Sequence, residues 1–195
     1  MNTIIQNQRK ERDELLARHY LMRKSNTDVK TLLDNPMIKL ITGPRRVGKS
    51  TYALLMLQGK SFAYLNFDDN LLLSAWDEEL VMRTLDEVYP NYEFLLLDEV
   101  QNLKDWDVWV SKLYRRGKNL VITGSNAKML SGEMATVLTG RYLQVEMLPF
   151  SLTETIEWKG ANINSISNAK QAEVVAIADD YLRNGGYPET IDMRS

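Results

Sequence analysis

Eight consecutive residues, Gly43-Pro44-Arg45-Arg46-Val47-Gly48-Lys49-Ser50, fit the pattern G-x-x-x-x-G-K-[ST] without a mismatch, and Thr51 follows them. The glycines let successive backbone N–H groups turn inward around phosphate oxygens, and a helix opening at the lysine adds its positive N-terminal pole. In such a loop Lys49 neutralises β- and γ-phosphate oxygens, and the Ser50 hydroxyl is a ligand for Mg²⁺. A second acid-bearing string, Phe94-Leu95-Leu96-Leu97-Asp98-Glu99, sets four apolar residues ahead of two carboxylates. A buried strand with that ending delivers both acids to the C-terminal edge of a sheet, beside the phosphate loop. Asp98 is then the Mg²⁺-holding acid and Glu99 the one that polarises an attacking water. Alternatively, the two acids cap a turn before Gln101-Asn102.

A carboxylate that activates water favours hydrolysis over transfer to an acceptor hydroxyl. No N-K-x-D guanine-reading string occurs, since Asn102-Leu103-Lys104-Asp105 has the wrong order. ATP with Mg²⁺ is therefore the expected ligand pair. Further along, Thr123-Gly124-Ser125-Asn126 ends another apolar run, and Ser125 and Asn126 are candidates to sense the γ-phosphate or the water; both are equally ordinary helix N-caps. Arg141, in Thr139-Gly140-Arg141, either stabilises transition-state charge or forms a structural ion pair. Asp68-Asp69-Asn70 reads as an N-cap, Trp106 and Trp109 as packing, and His19 takes no role.

These residues need a particular scaffold. The runs Met37–Thr42, Phe62–Phe67, Tyr92–Leu97, Asn119–Thr123 and Tyr142–Met147 read as strands. Helical patterns lie between them, over Ser50–Gln58, Asp77–Val88, Asp105–Arg116 and Ala127–Leu138. Alternation of strand and helix predicts a mainly parallel sheet covered on both faces. Ahead of it, Gln8–Lys24 reads as a charge-rich helix, and a short second helix spans Thr27 to Asn35, stopped by Pro36. After Pro149 come a helix over Ser151–Lys159, a polar Asn/Ser-rich linker, and a helix with Val174, Ile177, Ala178 and Tyr181 on one face.

Composition narrows the chemistry. With 195 residues the chain buries a core without staples, and with no Cys and one His it excludes thiol catalysis, Cys-ligated zinc and a His cluster. The near balance of 24 Lys+Arg against 26 Asp+Glu gives no bulk attraction to nucleic acid, though an excess of basic residues before Lys30 leaves a partner contact open beside a plain solvated face. No apolar run reaches the ~18 residues of a membrane span, and the polar start lacks a signal-peptide core, so a cytoplasmic location is the expectation.

Taken in order, GPRRVGKS, NFDDN, LLLDEVQ, TGSNAKML, LTGRYLQVEMLPFSLTE and NGGYPE resemble the motifs of a family of prokaryotic AAA+-type ATPases, over about residues 30 to 190. The resemblance implies a three-layer α/β P-loop NTPase fold, AAA+-like, with parallel strand order 5-1-4-3-2. The strand ending in Thr123 then lies between the phosphate-loop strand and the Asp98-Glu99 strand. It also implies ATP, Mg²⁺ and hydrolysis; in a homo-oligomer of the full-length protein, Arg141 lies in the region where AAA+-like cores expose a finger to a neighbouring subunit's nucleotide. In that family an ATPase half precedes a C-terminal half of unsettled character, nuclease-like among the readings. Members run to about twice this length, so the chain is expected to be a fragment or to lack the output domain. The expected divisions are an N-terminal helical segment (1–35), the ATPase core (36–159), and a linker with a partial helical lid (160–195), whose incompleteness bears on the contacts of Tyr187 and Pro188 near the nucleotide. The reading from a different class is a nucleotide-binding interaction or switch module with little turnover.

Overall fold

A computed structural model of the chain describes residues 1–20, 23, 28–125, 138–161 and 168–192. Contacts divide the chain into two compact units, one of residues 1–43 and 49–146, the other of residues 44–48 and 147–195.

The first unit contains α1 (Asn2–Leu16), α2 (Val29–Asp34), β1 (Ile38–Gly43), α3 (Lys49–Met56), β2 (Phe62–Asn66), α4 (Asn70–Ser74) and α5 (Glu78–Val88). It continues with β3 (Phe94–Asp98), a 3₁₀ turn over Val100–Asn102, α6 (Trp106–Arg115), β4 (Leu120–Ser125) and β5 (Tyr142–Glu146). All strand pairs are parallel and the order is β2-β3-β4-β1-β5, the expected 5-1-4-3-2 read from the other edge. Flanking helices make this the three-layer α/β architecture of P-loop NTPases. The inner strands are buried on both faces, which is why FLLLD and IKLITG read as continuous apolar runs rather than alternating ones.

One face of the sheet carries Ile38, Leu40, Leu65, Leu95, Leu97, Leu120 and Ile122, packed with Val81, Leu85 and Val88 of α5 and Trp109, Val110 and Leu113 of α6. Side chains alternate along a strand, so Leu96 and Asp98 point to the other face. There α3 packs on β1 and β4.

Lys39 is fully buried on β1, where its Nζ donates to the Asn35 carbonyl at 2.6 Å and to Asn119 Oδ1 at 2.5 Å. Burial pulls its ammonium down to about 8.

The first helix corrects the sequence expectation. It runs over Asn2–Leu16 rather than Gln8–Lys24, and residues 21, 22 and 24–27 lie outside the described residues. Tertiary packing overrides propensity here: Ile5 is fully buried, and Gln8, Arg9 and Arg12 all reach other elements. Gln8 treats the exposed edge of β2 as a partner strand would, donating to the Asn66 carbonyl at 3.1 Å and accepting from the Asn66 N–H at 2.9 Å. Arg12 donates to the Phe62 carbonyl at 2.6 Å and stacks over the rings of Phe62 and Tyr89. α1 thus covers an edge that would otherwise present unpaired backbone groups.

Asp69 caps α4, a helix that the apolar periodicity does not announce, by accepting from the Leu71 N–H at 2.8 Å. Of the Ala127–Leu138 pattern, residues 127–137 lie outside the described residues.

The second unit holds α7 (Leu152–Trp158), α8 (Asn168–Asn184) and α9 (Pro188–Asp192). Ser151 and Glu154 form a reciprocal capping box at the start of α7. Phe150 donates its N–H to the Gly186 carbonyl at 2.7 Å, and its own carbonyl accepts from the Tyr181 hydroxyl at 3.0 Å. A Cβ on Gly186 would sit 2.0 Å from the Phe150 oxygen, so only glycine admits this approach. Arg46 meets Glu189 of α9 at 3.2 Å, both side chains being largely exposed. No helix among the described residues is long and apolar enough to cross a membrane.

Candidate functional site

The turn between β1 and α3 depends on backbone that most residues avoid. Gly43 has φ +152°, Gly48 has φ +91°, and Arg46 takes φ +64° despite its side chain. Pro44, Arg45 and Val47 complete the turn, which delivers Lys49 and Ser50 at the opening of α3, with Thr51 next. Their positions follow from the helix: residues at its first turn face the C-terminal edge of the parallel sheet, where backbone N–H groups have no intrahelical partner.

On β3, Asp98 is the last strand residue and is 4% exposed. Ser50 Oγ lies 2.8 Å from its Oδ1, the Thr123 hydroxyl donates to the same oxygen, and the Tyr64 hydroxyl reaches Oδ2 at 3.2 Å. Burial pushes the Asp98 carboxyl up, the Thr123 and Ser50 hydrogen bonds pull it back, and Glu99 pushes it up again. The Tyr64 hydroxyl is pushed up by its own burial and then by the Asp98 charge. Among the described residues no Lys or Arg forms an ion pair with Asp98. A desolvated carboxylate held by hydroxyls is therefore suited to a hard cation with oxygen ligands, and Asp98 and Ser50 are the two side chains that could hold one. No group of three or more His, Cys, Asp or Glu among the described residues could hold a metal alone, so phosphate oxygens and water would complete the shell.

Glu99 has left-handed backbone, φ 52° and ψ 40°, a conformation that costs about 1–3 kcal/mol for a residue with a Cβ. It turns the chain sharply out of the sheet. Its N–H donates to Thr123 Oγ1 at 3.0 Å, so one hydroxyl on the neighbouring strand braces both acids. The carboxylate is divided: Oε1 lies 3.5 Å from Lys49 Nζ, and Oε2 accepts from the Gln101 amide. Lys49 and Glu99 are 3% and 16% exposed as side chains, so this pair interacts in poorly solvated surroundings.

Lys49, Ser50, Asp98 and Glu99 thus converge as the sequence predicts. Ser125 pairs in register with Gly43, beside the start of the turn, while Asn126 lies outside the described residues. Arg141 does not join the cluster. It precedes β5 at Tyr142, whose register partner is Ile38 at the start of β1, and its Nη1 donates to the buried Ser111 hydroxyl at 3.2 Å. It therefore lies at the N-terminal edge, about four strand residues or roughly 13 Å along the strand direction from the level of Asp98. The sequence reading missed Tyr64, Thr123 and Gln101. Their partners are set by strand register or by a side chain folding back, so no spacing in the sequence announces them.

A family model described as an AAA domain matches residues 35–156. An uncharacterized protein of Methanocaldococcus jannaschii, MJ1544, is 36% identical over 170 residues, spanning 84% of this chain and 38% of that one. An uncharacterized protein of Haemophilus influenzae is 33% identical over 170 residues, spanning 81% of this chain and 41% of its own. The chain therefore spans about two fifths of the length of these curated relatives. Among solved structures, the replication initiator DnaA bound to AMPPCP and single-stranded DNA aligns with a TM-score of 0.57 at 19% identity, over 90% of this chain and 61% of that chain. That likeness is one of fold.

Proposed function

We propose, from the premise that the chain belongs to the AAA domain family of prokaryotic AAA+-type P-loop ATPases and binds ATP, that it hydrolyses the ATP β–γ phosphoanhydride with Mg²⁺. The observation that supports this most is the convergence of Lys49 with Glu99 at 3.5 Å and of Ser50 with Asp98 at 2.8 Å on one sheet edge. Backbone N–H groups of residues 43–50 and the Lys49 ammonium bind and orient the phosphates. Ser50 and Asp98 are the side chains that would hold Mg²⁺, which would supply neutralisation of the phosphate charge. Glu99 orients a water for in-line attack and takes its proton as the γ-phosphorus bond to the ADP oxygen breaks. Because Lys49 sits against Glu99 Oε1, phosphates that draw the lysine away leave that oxygen for the water.

Arg141, distant from the cluster of its own chain, would contribute only to a neighbour's site, as a finger in a homo-oligomer of the full-length protein. Such a finger can raise the rate by ~10³ or more, so a lone chain turns over slowly.

The test measures ATP affinity and phosphate release with Mg²⁺ and with chelator, using ATP and GTP. Lys49→Ala should weaken ATP binding more than about tenfold, and Glu99→Gln should lower turnover by ~10² while binding survives. Tight, Mg²⁺-independent binding with no release at any protein concentration would overturn hydrolysis in favour of a nucleotide-switch module.

A further inference from the structure

Gln101 stands two residues beyond Glu99, in the short 3₁₀ turn, with its side chain folded back onto the acid. Its Nε2 donates to Glu99 Oε2, and this contact decides which end of the amide faces the carboxylate. The other end, Oε1, is buried and has no hydrogen-bond partner among the described residues. An unmatched buried acceptor destabilises the fold, because it has lost water and gained nothing. An apolar side chain of the same length would avoid that loss.

What the glutamine supplies in return is orientation of Glu99. Glu99 has left-handed backbone, and φ and ψ alone do not fix the side-chain torsions that set the direction of its carboxylate. The bond from Gln101 fixes one oxygen. The second, Oε1, is thereby aimed at Lys49 and at the space that the γ-phosphate and its attacking water would share. We infer that Gln101 is a positioning residue for hydrolysis, holding Glu99 Oε2 so that Oε1 is the oxygen that receives the water's proton. This rests on the hydrolytic reading above.

The experiment is a cycle of Glu99→Gln, Gln101→Met and the double variant, measured in ATP·Mg²⁺ turnover, ATP affinity and thermal midpoint beside the unmodified chain. Gln101→Met keeps the length and removes both polar atoms. It should lower kcat about tenfold, the loss of one hydrogen bond to a charged group, with ATP affinity within about twofold and no fall in midpoint. Added to Glu99→Gln it should cost no further turnover, because the group it positions is already disabled. Gln101→Glu, which faces one acceptor with another, should lower kcat at least as far, and it serves if the methionine variant fails to fold. Unchanged kcat in Gln101→Met overturns the inference. So does an equal loss in both backgrounds, or a loss that tracks lowered affinity and midpoint, since a merely structural glutamine would behave that way. Absence of turnover in the unmodified chain, with ATP bound, overturns the hydrolytic reading and this one with it.

Discussion

Thr123 shows how much of the site hangs on one hydroxyl. It donates to Asp98 and accepts from the Glu99 N–H, so it couples the β4 strand to both acids of β3. Thr123→Val keeps the branched shape and leaves the Glu99 N–H without its acceptor. Stability should fall by about 1–3 kcal/mol, read as a lower midpoint in thermal unfolding, and turnover should fall along with it. At this scale the residues that sequence exposes are those whose roles depend on neighbours in the chain: Gly43 to Ser50 form one turn, and Asp98-Glu99 one strand end. Tyr64, Thr123 and Gln101 escape notice because their partners are set by strand register or by a side chain folding back. Nothing in NLVIT distinguishes a threonine that braces two carboxylates from one that merely suits a strand.

Among the elements, the central strands were the most legible, since a parallel strand buried on both faces must be apolar throughout. Their ends moved by one or two residues, and the shift matters at β3, where Asp98 closes the strand rather than following it. α4 and α9 are five residues each, too short for a periodic stripe; the N-cap reading of Asp68-Asp69-Asn70 marks the start of α4, and nothing in the sequence marks α9. Charge density marks the exposed side of α1 and points to Gln8–Lys24, whereas Ile5 and Gln8 are the residues that bury. In the second unit the join between Phe150 and Gly186 is the most constrained point. Gly186→Ala would set a methyl 2.0 Å from a backbone oxygen and 2.8 Å from the Tyr181 ring. The expected cost is about 1–3 kcal/mol, visible as faster proteolysis within residues 147–192 than in the unmodified chain.

For the molecule as a whole, alternation of strand and helix implied a parallel sheet, but strand order came from the resemblance and not from periodicity. Periodicity states which faces are buried and is silent on which strand lies beside which. The buried Lys39 could not be foreseen either, since a lysine in IKLITG looks like a residue that should face water. Its ammonium is held near 8 when folded against 10.5 when unfolded, so the unfolded chain binds more protons between those values and stability rises with pH through that window. From pH 8 to pH 10 the gain should be about 2–3 kcal/mol. Above pH 10 the buried Tyr64 and Tyr89, whose hydroxyls are pushed up, reverse the trend because only the unfolded chain releases their protons. Chemical denaturation across pH 7–11 should show a maximum near pH 10, and Lys39→Met should abolish the rise below it.

The seal that α1 forms on β2 also has a schedule. Gln8 must wait for Asn66, 58 residues further along, and Arg9 for Val88, 79 further along. At ribosomal rates that is roughly 3 to 16 s of synthesis during which the helix exists without its dock. α1, made before β2 and α5, is therefore among the later elements to find its place. The growing chain must carry an amphipathic helix and, once Phe62–Asn66 emerges, an open strand edge that this helix later closes. For this helix, birth order and assembly order run in opposite directions.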